Sequence, residues 1–470
     1  MVSPTNWQNA SPGDLDHALP EVWANDVEAA VTVARKAAPK WAATPLAARI
    51  AALRTCQAAI REKSEPLARR IAEETGKPLT EARGELGAVV AKFDLTIADA
   101  EQFIADRPVT DGPHPALVRT KPRGPAAVVA PFNFPIHLGH GATVAYLLAG
   151  NPVLYKPSPL AAVTGADYGA LMAAHLPPGV LQIVQGWGET GRDLCVHPDV
   201  RSVCFTGSIP VGTALARELA ADYSKSLALE LGGKNASIVC ADADLAQASA
   251  DIAAAGCLTA GQRCNATSLV FVHRAILNDL LARLLIDLAL YQPGDPLAEA
   301  TKMGPLISAA AVKRYQTLTT LDVGEWIRRE PIPEAVEGKR GHYVPPAVVL
   351  CPDFDALSAS PLHRDESFCP ILAIIPFDSD EEAVRLHNRS PFGLTASIFT
   401  VDSDRFARLG DPLHVGNLYR NLPTTFSPST LPFGGHGISG NGKPGARGFI
   451  RFAAEEQAVQ WRGGRLRVES

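Results

Sequence analysis

Two side chains in this chain have the types and surroundings for covalent chemistry on a carbonyl carbon. Cys264 closes the run Thr259-Ala260-Gly261-Gln262-Arg263-Cys264, and Glu230 stands 34 positions earlier in Leu229-Glu230-Leu231-Gly232-Gly233-Lys234. A thiol in a polar turn beside an arginine can have its pKa lowered from about 8.5 and be exposed. A nucleophilic thiol paired with a carboxylate base suits covalent oxidation of a carbonyl compound. A third candidate is Asn133, held in Pro131-Phe132-Asn133-Phe134-Pro135. Its amide could donate to a developing oxyanion, or it could satisfy its own turn.

The other seven cysteines (56, 195, 204, 240, 257, 351 and 369) are scattered, with no CxxC pair and no metal-ligand spacing. They read as inert, mostly buried thiols of a reducing compartment. No metal site is expected.

Several segments have the makings of a nucleotide site. In Phe205-Thr206-Gly207-Ser208-Ile209-Pro210-Val211-Gly212 an apolar strand runs into Gly-Ser and then a helix with Pro near its first turn. Its free N–H groups could hold a phosphate, or Ser208 could simply cap the helix. Lys156-Pro157-Ser158-Pro159 and Glu366-Ser367-Phe368-Cys369-Pro370 could each be solvated charge or could reach a bound nucleotide. Gly186-Trp187-Gly188-Glu189-Thr190-Gly191 matches GxGxxG literally, but no acidic residue follows about 20 positions on to take ribose hydroxyls. It therefore reads better as a glycine-rich turn bordering a cofactor than as a pyrophosphate cradle.

These residues need elements to hold them. Residues 26–106 carry helix-like spacing rich in Ala, Leu, Arg and Glu. From 126 onward short apolar runs at 126–130, 152–155, 181–184, 203–205 and 238–240 alternate with helical segments at 142–149, 161–174, 189–196 and 211–221. That alternation predicts an α/β, Rossmann-like, doubly wound parallel sheet, which binds ligands at the carboxyl ends of its strands. A second α/β domain is expected over about 245–440, with strands at 268–272, 371–375 and 396–399. Residues 107–124, with four prolines and two glycines, read as an excursion from the core.

Composition narrows the function classes. The 470 residues are 46% hydrophobic and 20% charged, enough for large cores in two or three domains. Net charge is -5 with no basic cluster, so nucleic acid is not an expected partner. No apolar run approaches the roughly 20 residues of a membrane span, and no leader-like region opens the chain, which reads as a cytoplasmic, soluble protein.

Taken in order, the motifs around Asn133, Lys156, Gly207, Glu230, Cys264 and Glu366, with Pro432-Phe433-Gly434-Gly435, resemble the aldehyde dehydrogenase superfamily along nearly the whole chain. Within it, Ala130 to Pro135 followed by His137-Leu138, and Ser439-Gly440-Asn441-Gly442-Lys443-Pro444, look most like the succinylglutamate-semialdehyde dehydrogenase group. The resemblance implies that Cys264 attacks the aldehyde carbon while Asn133 and the Cys264 N–H hold the oxyanion. Glu230 would then activate water to hydrolyse the thioester. It further implies NAD or NADP held by Pro131, Phe132, Lys156, Ser158, Gly188, Gly207, Ser208, Gly212, Leu231, Glu366 and Phe368.

Two departures stand out: Pro159 replaces the Glu of many NAD-preferring members, and Asn265-Ala266-Thr267-Ser268 lacks the Cys and Arg of the nearest group. Arg263, Arg420, Lys443 and Arg447 could attract a carboxylated substrate or serve as structural charges. The implied plan is a cofactor domain over 1–106 and 125–229, a catalytic domain over 230–436, and a small β oligomerisation element over 107–124 and 447–470, giving a homodimer or homotetramer. The aldehyde would be a small molecule, an acidic semialdehyde such as N-succinylglutamate semialdehyde being one choice. Alternatives are a coenzyme A-acylating or reductive member and a non-catalytic binding protein on the same scaffold.

Overall fold

The structure is a computed structural model that describes residues 5–443, 445 and 447–463. After short antiparallel strand pairs within residues 6–23 come four helices: α1 (Val27–Ala42), α2 (Leu46–Glu62), α3 (Ser64–Thr75) and α4 (Leu79–Phe103). Asp26 caps α1 by accepting the Ala29 N–H, and α3 stops at Gly76, whose φ of 75° is left-handed. The apolar faces of α2, α3 and α4 close over one side of the first sheet, with Leu53, Ile71, Val89 and Phe93 fully buried.

The excursion at 107–124 contains β1 (Arg107–Val109) and β2 (Ala116–Pro122). The first sheet then follows: β3 (Ala126–Val129), α5 (His137–Leu148), β4 (Val153–Lys156), α6 (Ala162–Ala173), β5 (Leu181–Ile183), α7 (Gly188–Val196), β6 (Ser202–Thr206), α8 (Ile209–Leu219) and β7 (Ser226–Glu230). The second sheet uses β8 (Asn235–Val239), α9 (Leu245–Cys257), β9 (Thr267–His273), β10 (Glu325–Arg328), β11 (Ala347–Leu350), β12 (Ile371–Phe377), β13 (Thr395–Phe399) and β14 (Asn417–Arg420). The chain then returns as β15 (Gly440–Asn441) and goes on to β16 (Ala454–Gln460).

Sheet one has the order β15-β7-β6-β3-β4-β5, parallel except for β15, which pairs antiparallel with β7. From β3 the crossovers run first toward β5 and then back past β3 to β6, so the strand order reverses at β3 and β6. The crevice outside their carboxyl ends is where such sheets take ligands. Sheet two has the order β10-β11-β12-β9-β8-β13-β14, parallel except for β10. Its central strands are buried throughout, as a sheet covered on both faces requires. A third, antiparallel sheet joins β16, β2 and β1.

The family-type fold implied by the motif order is therefore present, with one reassignment. The run at 238–240 belongs to β8 of the second sheet rather than to the first. Five further strands of the two larger sheets were not anticipated from the sequence: β7, β10, β11, β14 and β15. Residues 464–470 of the proposed oligomerisation element, Pro444 of the tail motif and residues 1–4 lie outside the described residues.

Candidate active site

A cleft of about 750 Å³ opens between the two larger sheets. The carboxyl ends of β3, β4, β6 and β7 supply Pro131, Phe132, Asn133, Lys156, Ser158, Gly207, Ser208, Glu230 and Leu231. The segments leading into β8, β9, β12 and β13 supply Gly232, Cys264, Glu366, Phe368 and Phe392 from the other side. Carboxyl ends of one parallel sheet thus face amino ends of the other.

Cys264 is partly buried, whereas the other seven cysteines are buried. Burial, then the Glu230 and Glu366 carboxylates, push its thiol above its ordinary range, against lesser help from the Asn265 N–H and Arg263. This corrects the expectation of a lowered pKa. Arg263 is turned away from the thiol to pair with Glu81 and Thr259. The free enzyme accordingly holds a neutral thiol in an enclosed site.

Asn133 is buried, and its side-chain amide donates to the Gln262 carbonyl at 2.8 Å. It is therefore spent on the nucleophile's loop, not on its own turn, and an amide NH₂ keeps a second donor. Behind it, Glu85 accepts the N–H groups of Ile136 and His137 at 3.1 and 3.0 Å and pairs with the fully buried Lys77.

Glu230 is buried at the end of β7, and Oε1 finds no hydrogen-bond partner among the described residues. Burial raises its carboxyl well above the ordinary range, partly opposed by Lys443. A carboxyl raised by burial and with an oxygen left unpaired is placed to take a proton from water once ionised. Asn441 of β15 fixes its strand by accepting the Leu229 N–H at 2.8 Å.

Gly232 and Gly233 allow three segments to converge. A Cβ on Gly232 would sit 2.4 Å from Glu366 Oε2, and one on Gly233 would sit 2.3 Å from the Cys264 carbonyl. Gly233 N–H instead donates to Glu366 Oε1 at 3.1 Å. Burial pushes the Glu366 carboxyl up to about 7. Phe368, left-handed with φ of 53°, meets Phe132 edge to face across the cleft with centroids 5.9 Å apart.

The residues present fit a dinucleotide. Ser208 precedes α8 without a side-chain capping bond, so the first-turn N–H groups are left for an anion. A Cβ on Gly207 would lie 2.6 Å from the Phe205 ring, which favours glycine at this approach. Lys156 is buried and lowered to about 8 by that burial; it donates to Pro157 and Gly186 carbonyls at 3.2 and 2.7 Å.

Twelve of the fourteen anticipated residues line the cleft; Gly188 and Gly212 do not. Gly212 lies behind it, where an added Cβ would come 2.5 Å from Leu231, so it seats α8 on that side chain. Gly188 begins α7, and nothing lies within 4 Å of a Cβ built there.

The sequence reading missed Asn235, whose amide donates to the Cys264 and Ala266 carbonyls at 2.7 and 2.9 Å. A polar residue opening a short, largely apolar strand was the available signal. It also missed Arg314, which donates to the Glu366 and Ser367 carbonyls and holds the segment carrying Phe368.

Comparison with known proteins gives the same picture. A model described as the aldehyde dehydrogenase family matches residues 9–459. The chain is 36% identical over 429 residues to N-succinylglutamate 5-semialdehyde dehydrogenase 1 of Caulobacter vibrioides, covering 90% of this chain and 89% of that protein. Among solved structures it is similar to an NAD-dependent aldehyde dehydrogenase from Sinorhizobium meliloti, with a TM-score of 0.90, 29% identity and 98% and 92% of the two chains covered. It is also similar to 1-pyrroline-5-carboxylate dehydrogenase from Thermus with bound NAD, with a TM-score of 0.91, 26% identity and coverage of 97% and 90%.

Proposed function

Because this chain belongs to the aldehyde dehydrogenase family and carries out NAD(P)-dependent oxidation of an aldehyde to the carboxylate, we propose that Cys264, Asn133 and Glu230 perform that oxidation on an acidic semialdehyde of the N-succinylglutamate 5-semialdehyde type. The supporting observation is the convergence of all three side chains on one cleft. The substrate class is supported by the 36% identity to the Caulobacter vibrioides enzyme over nearly both full lengths.

In this reading the Cys264 thiol gives its proton to solvent as Sγ bonds to the aldehyde carbon, and the resulting oxyanion is held by the second Asn133 donor and the Cys264 N–H. Bound NAD or NADP supplies the two-electron acceptor. The thiohemiacetal on Cys264 becomes a thioester, and Glu230 takes a proton from the water that hydrolyses it. Glu230 also favours water over coenzyme A as the acyl acceptor. Gly207 and Ser208 would hold the pyrophosphate end of the dinucleotide, Lys156 and Ser158 the adenosine, and Glu366 with Phe368 and Phe132 the nicotinamide riboside, with Leu231 an apolar wall of the same cleft. Gly188 and Gly212 would act behind this surface.

Residues 1–106 and 125–229 would form the cofactor domain and 230–436 the catalytic domain. Residues 107–124 and 447–470 would build an oligomerisation element, because β1 and most of β16 are exposed and an open sheet edge invites pairing. A homodimer or homotetramer in the cytoplasm is the corresponding assembly, and eight free cysteines suit a reducing compartment. Among the described residues no helix is long and apolar enough to cross a membrane.

Of the cations first considered for a substrate carboxylate, Arg263 is taken by Glu81, Arg420 by Thr400, Val401 and Ser403, and Arg447 by Asp99. The test is an aldehyde panel, including N-succinylglutamate semialdehyde and aliphatic and aromatic aldehydes, scored by NADH and NADPH absorbance with and without coenzyme A. Turnover of an acidic semialdehyde that is lost in Cys264→Ala is expected; retained turnover in that variant defeats the reading.

A further inference from the structure

The turn leading to Cys264 is left-handed at three consecutive residues: Thr259 (φ 53°, ψ 32°), Ala260 (φ 53°, ψ 39°) and Gly261 (φ 69°). Only the last is a glycine. For a residue with a Cβ this backbone is uncommon, and for a β-branched threonine it is an outlier. Such a conformation persists where its surroundings over-determine it.

Glu81 supplies that constraint. Its Oε1 accepts the Thr259 N–H at 3.0 Å, its Oε2 accepts the Thr259 hydroxyl at 2.7 Å, and the same oxygen accepts from the Arg263 guanidinium. Arg263 Nε closes the ring by donating to Thr259 Oγ1 at 3.0 Å. The Glu81 and Arg263 side chains are only 10% and 14% exposed, so water competes weakly for these bonds. Glu81 itself does not line the cleft.

The same helix grips the oxyanion donor. Glu81 lies in the first turn of α4, one turn ahead of Glu85, which holds the N–H groups of Ile136 and His137 just beyond the Asn133 segment. Between them lies the Phe134 ring, with Lys77 Nζ 3.6 Å and Arg263 Cζ 5.0 Å from its centroid. Two carboxylates one turn apart on a rigid helix therefore tie down the loops of Cys264 and Asn133.

We infer that Glu81 is a positioning residue for the oxidation: through Thr259 and Arg263 it holds the left-handed turn that sets Cys264 against Asn133. This rests on the proposed role of Cys264. Without the carboxylate the turn relaxes toward ordinary backbone, and a displacement of about 1 Å at a nucleophile can cost on the order of 100-fold in rate.

The experiment compares wild type, Cys264→Ala, Glu81→Gln and Glu81→Gln/Ala260→Gly, measuring kcat, aldehyde KM and NAD dissociation constant. Glu81→Gln should lose roughly 10- to 100-fold in kcat with NAD binding within about twofold of wild type. Glycine accepts left-handed backbone without the Cβ penalty, so Ala260→Gly should restore most of the loss. A merely structural role for Glu81 would not be rescued by removing a methyl group from the turn. Should Glu81→Gln fail to fold, Glu81→Asp takes its place, keeping the charge but falling short of the Thr259 N–H. A Glu81 variant within about twofold of wild type, or a loss that Ala260→Gly leaves unchanged, overturns the inference while an inactive Cys264→Ala leaves the reaction intact. An active Cys264→Ala overturns both.

Discussion

Asn133 reaches across the cleft to donate its side-chain amide to the carbonyl of Gln262, two residues before Cys264, at 2.8 Å. The bond joins the carboxyl end of β3 to the nucleophile's loop, so one amide both positions the thiol and offers its remaining N–H to the substrate oxygen. Asn133→Ala should lower kcat by about 100- to 1000-fold, the usual cost of one oxyanion donor, with little change in NAD binding. Steady-state kinetics beside equilibrium NAD titration separate the two effects. A change confined to NAD affinity would move Asn133 from the chemistry to the cofactor site.

Glu230 is the only base proposed for the second half-reaction. Glu230→Gln should keep a burst of about one equivalent of reduced nicotinamide per active site and lose roughly 100-fold or more in steady turnover. Stopped-flow absorbance resolves the two phases. Loss of the burst itself would place Glu230 earlier, in activation of the thiol. In wild type the raised carboxyl makes hydrolysis quicken as pH rises through its pKa, because only the ionised form accepts the proton from water.

Gly434 leaves room for that carboxylate. A Cβ there would lie 2.7 Å from Glu230 Oε1 and 2.8 Å from the Lys443 backbone. Gly434→Ala should therefore slow thioester hydrolysis more than thioester formation, so the burst grows more distinct as kcat falls. Equal slowing of both phases in the same stopped-flow traces would count against a clash at the base.

Burial places the Glu366 carboxyl at about 7. Below that pH it is protonated and above it ionised, and only the carboxylate accepts hydrogen bonds from two hydroxyls. Affinity for NAD or NADP should rise between about pH 6 and 8 and flatten in Glu366→Gln. Above pH 8 that variant should bind about 10- to 100-fold more weakly, the range for hydrogen bonds to a charged group. Fluorescence titration across pH tests this; an unchanged pH dependence in the variant would show that another group titrates.

Much of this site was legible because parallel strands carry ligand-binding residues at their ends. The apolar runs before Asn133, Lys156 and Gly207 located three such ends, and motif order supplied Glu230 and Cys264. Contacts between distant segments were not legible. Nothing near Arg263 in sequence announces Glu81, 182 positions away, so Arg263 looked available to stabilise a thiolate. The Cys264 pKa direction was lost for the same reason, since burial and the Glu230 and Glu366 charges arise only when two sheets meet. Strands β10 and β14 escaped notice because Glu325–Arg328 and Asn417–Arg420 are short edge strands with charged or polar ends.

The return of the chain as β15 bears on how the enzyme matures. Asn441 secures the strand bearing Glu230 across 212 residues, so the base is seated by a segment synthesised long after its own strand. The parallel strands β3 to β7 are complete long before. The side of the cleft formed by Lys156, Gly207 and Ser208 can thus take shape before the base of thioester hydrolysis is pinned.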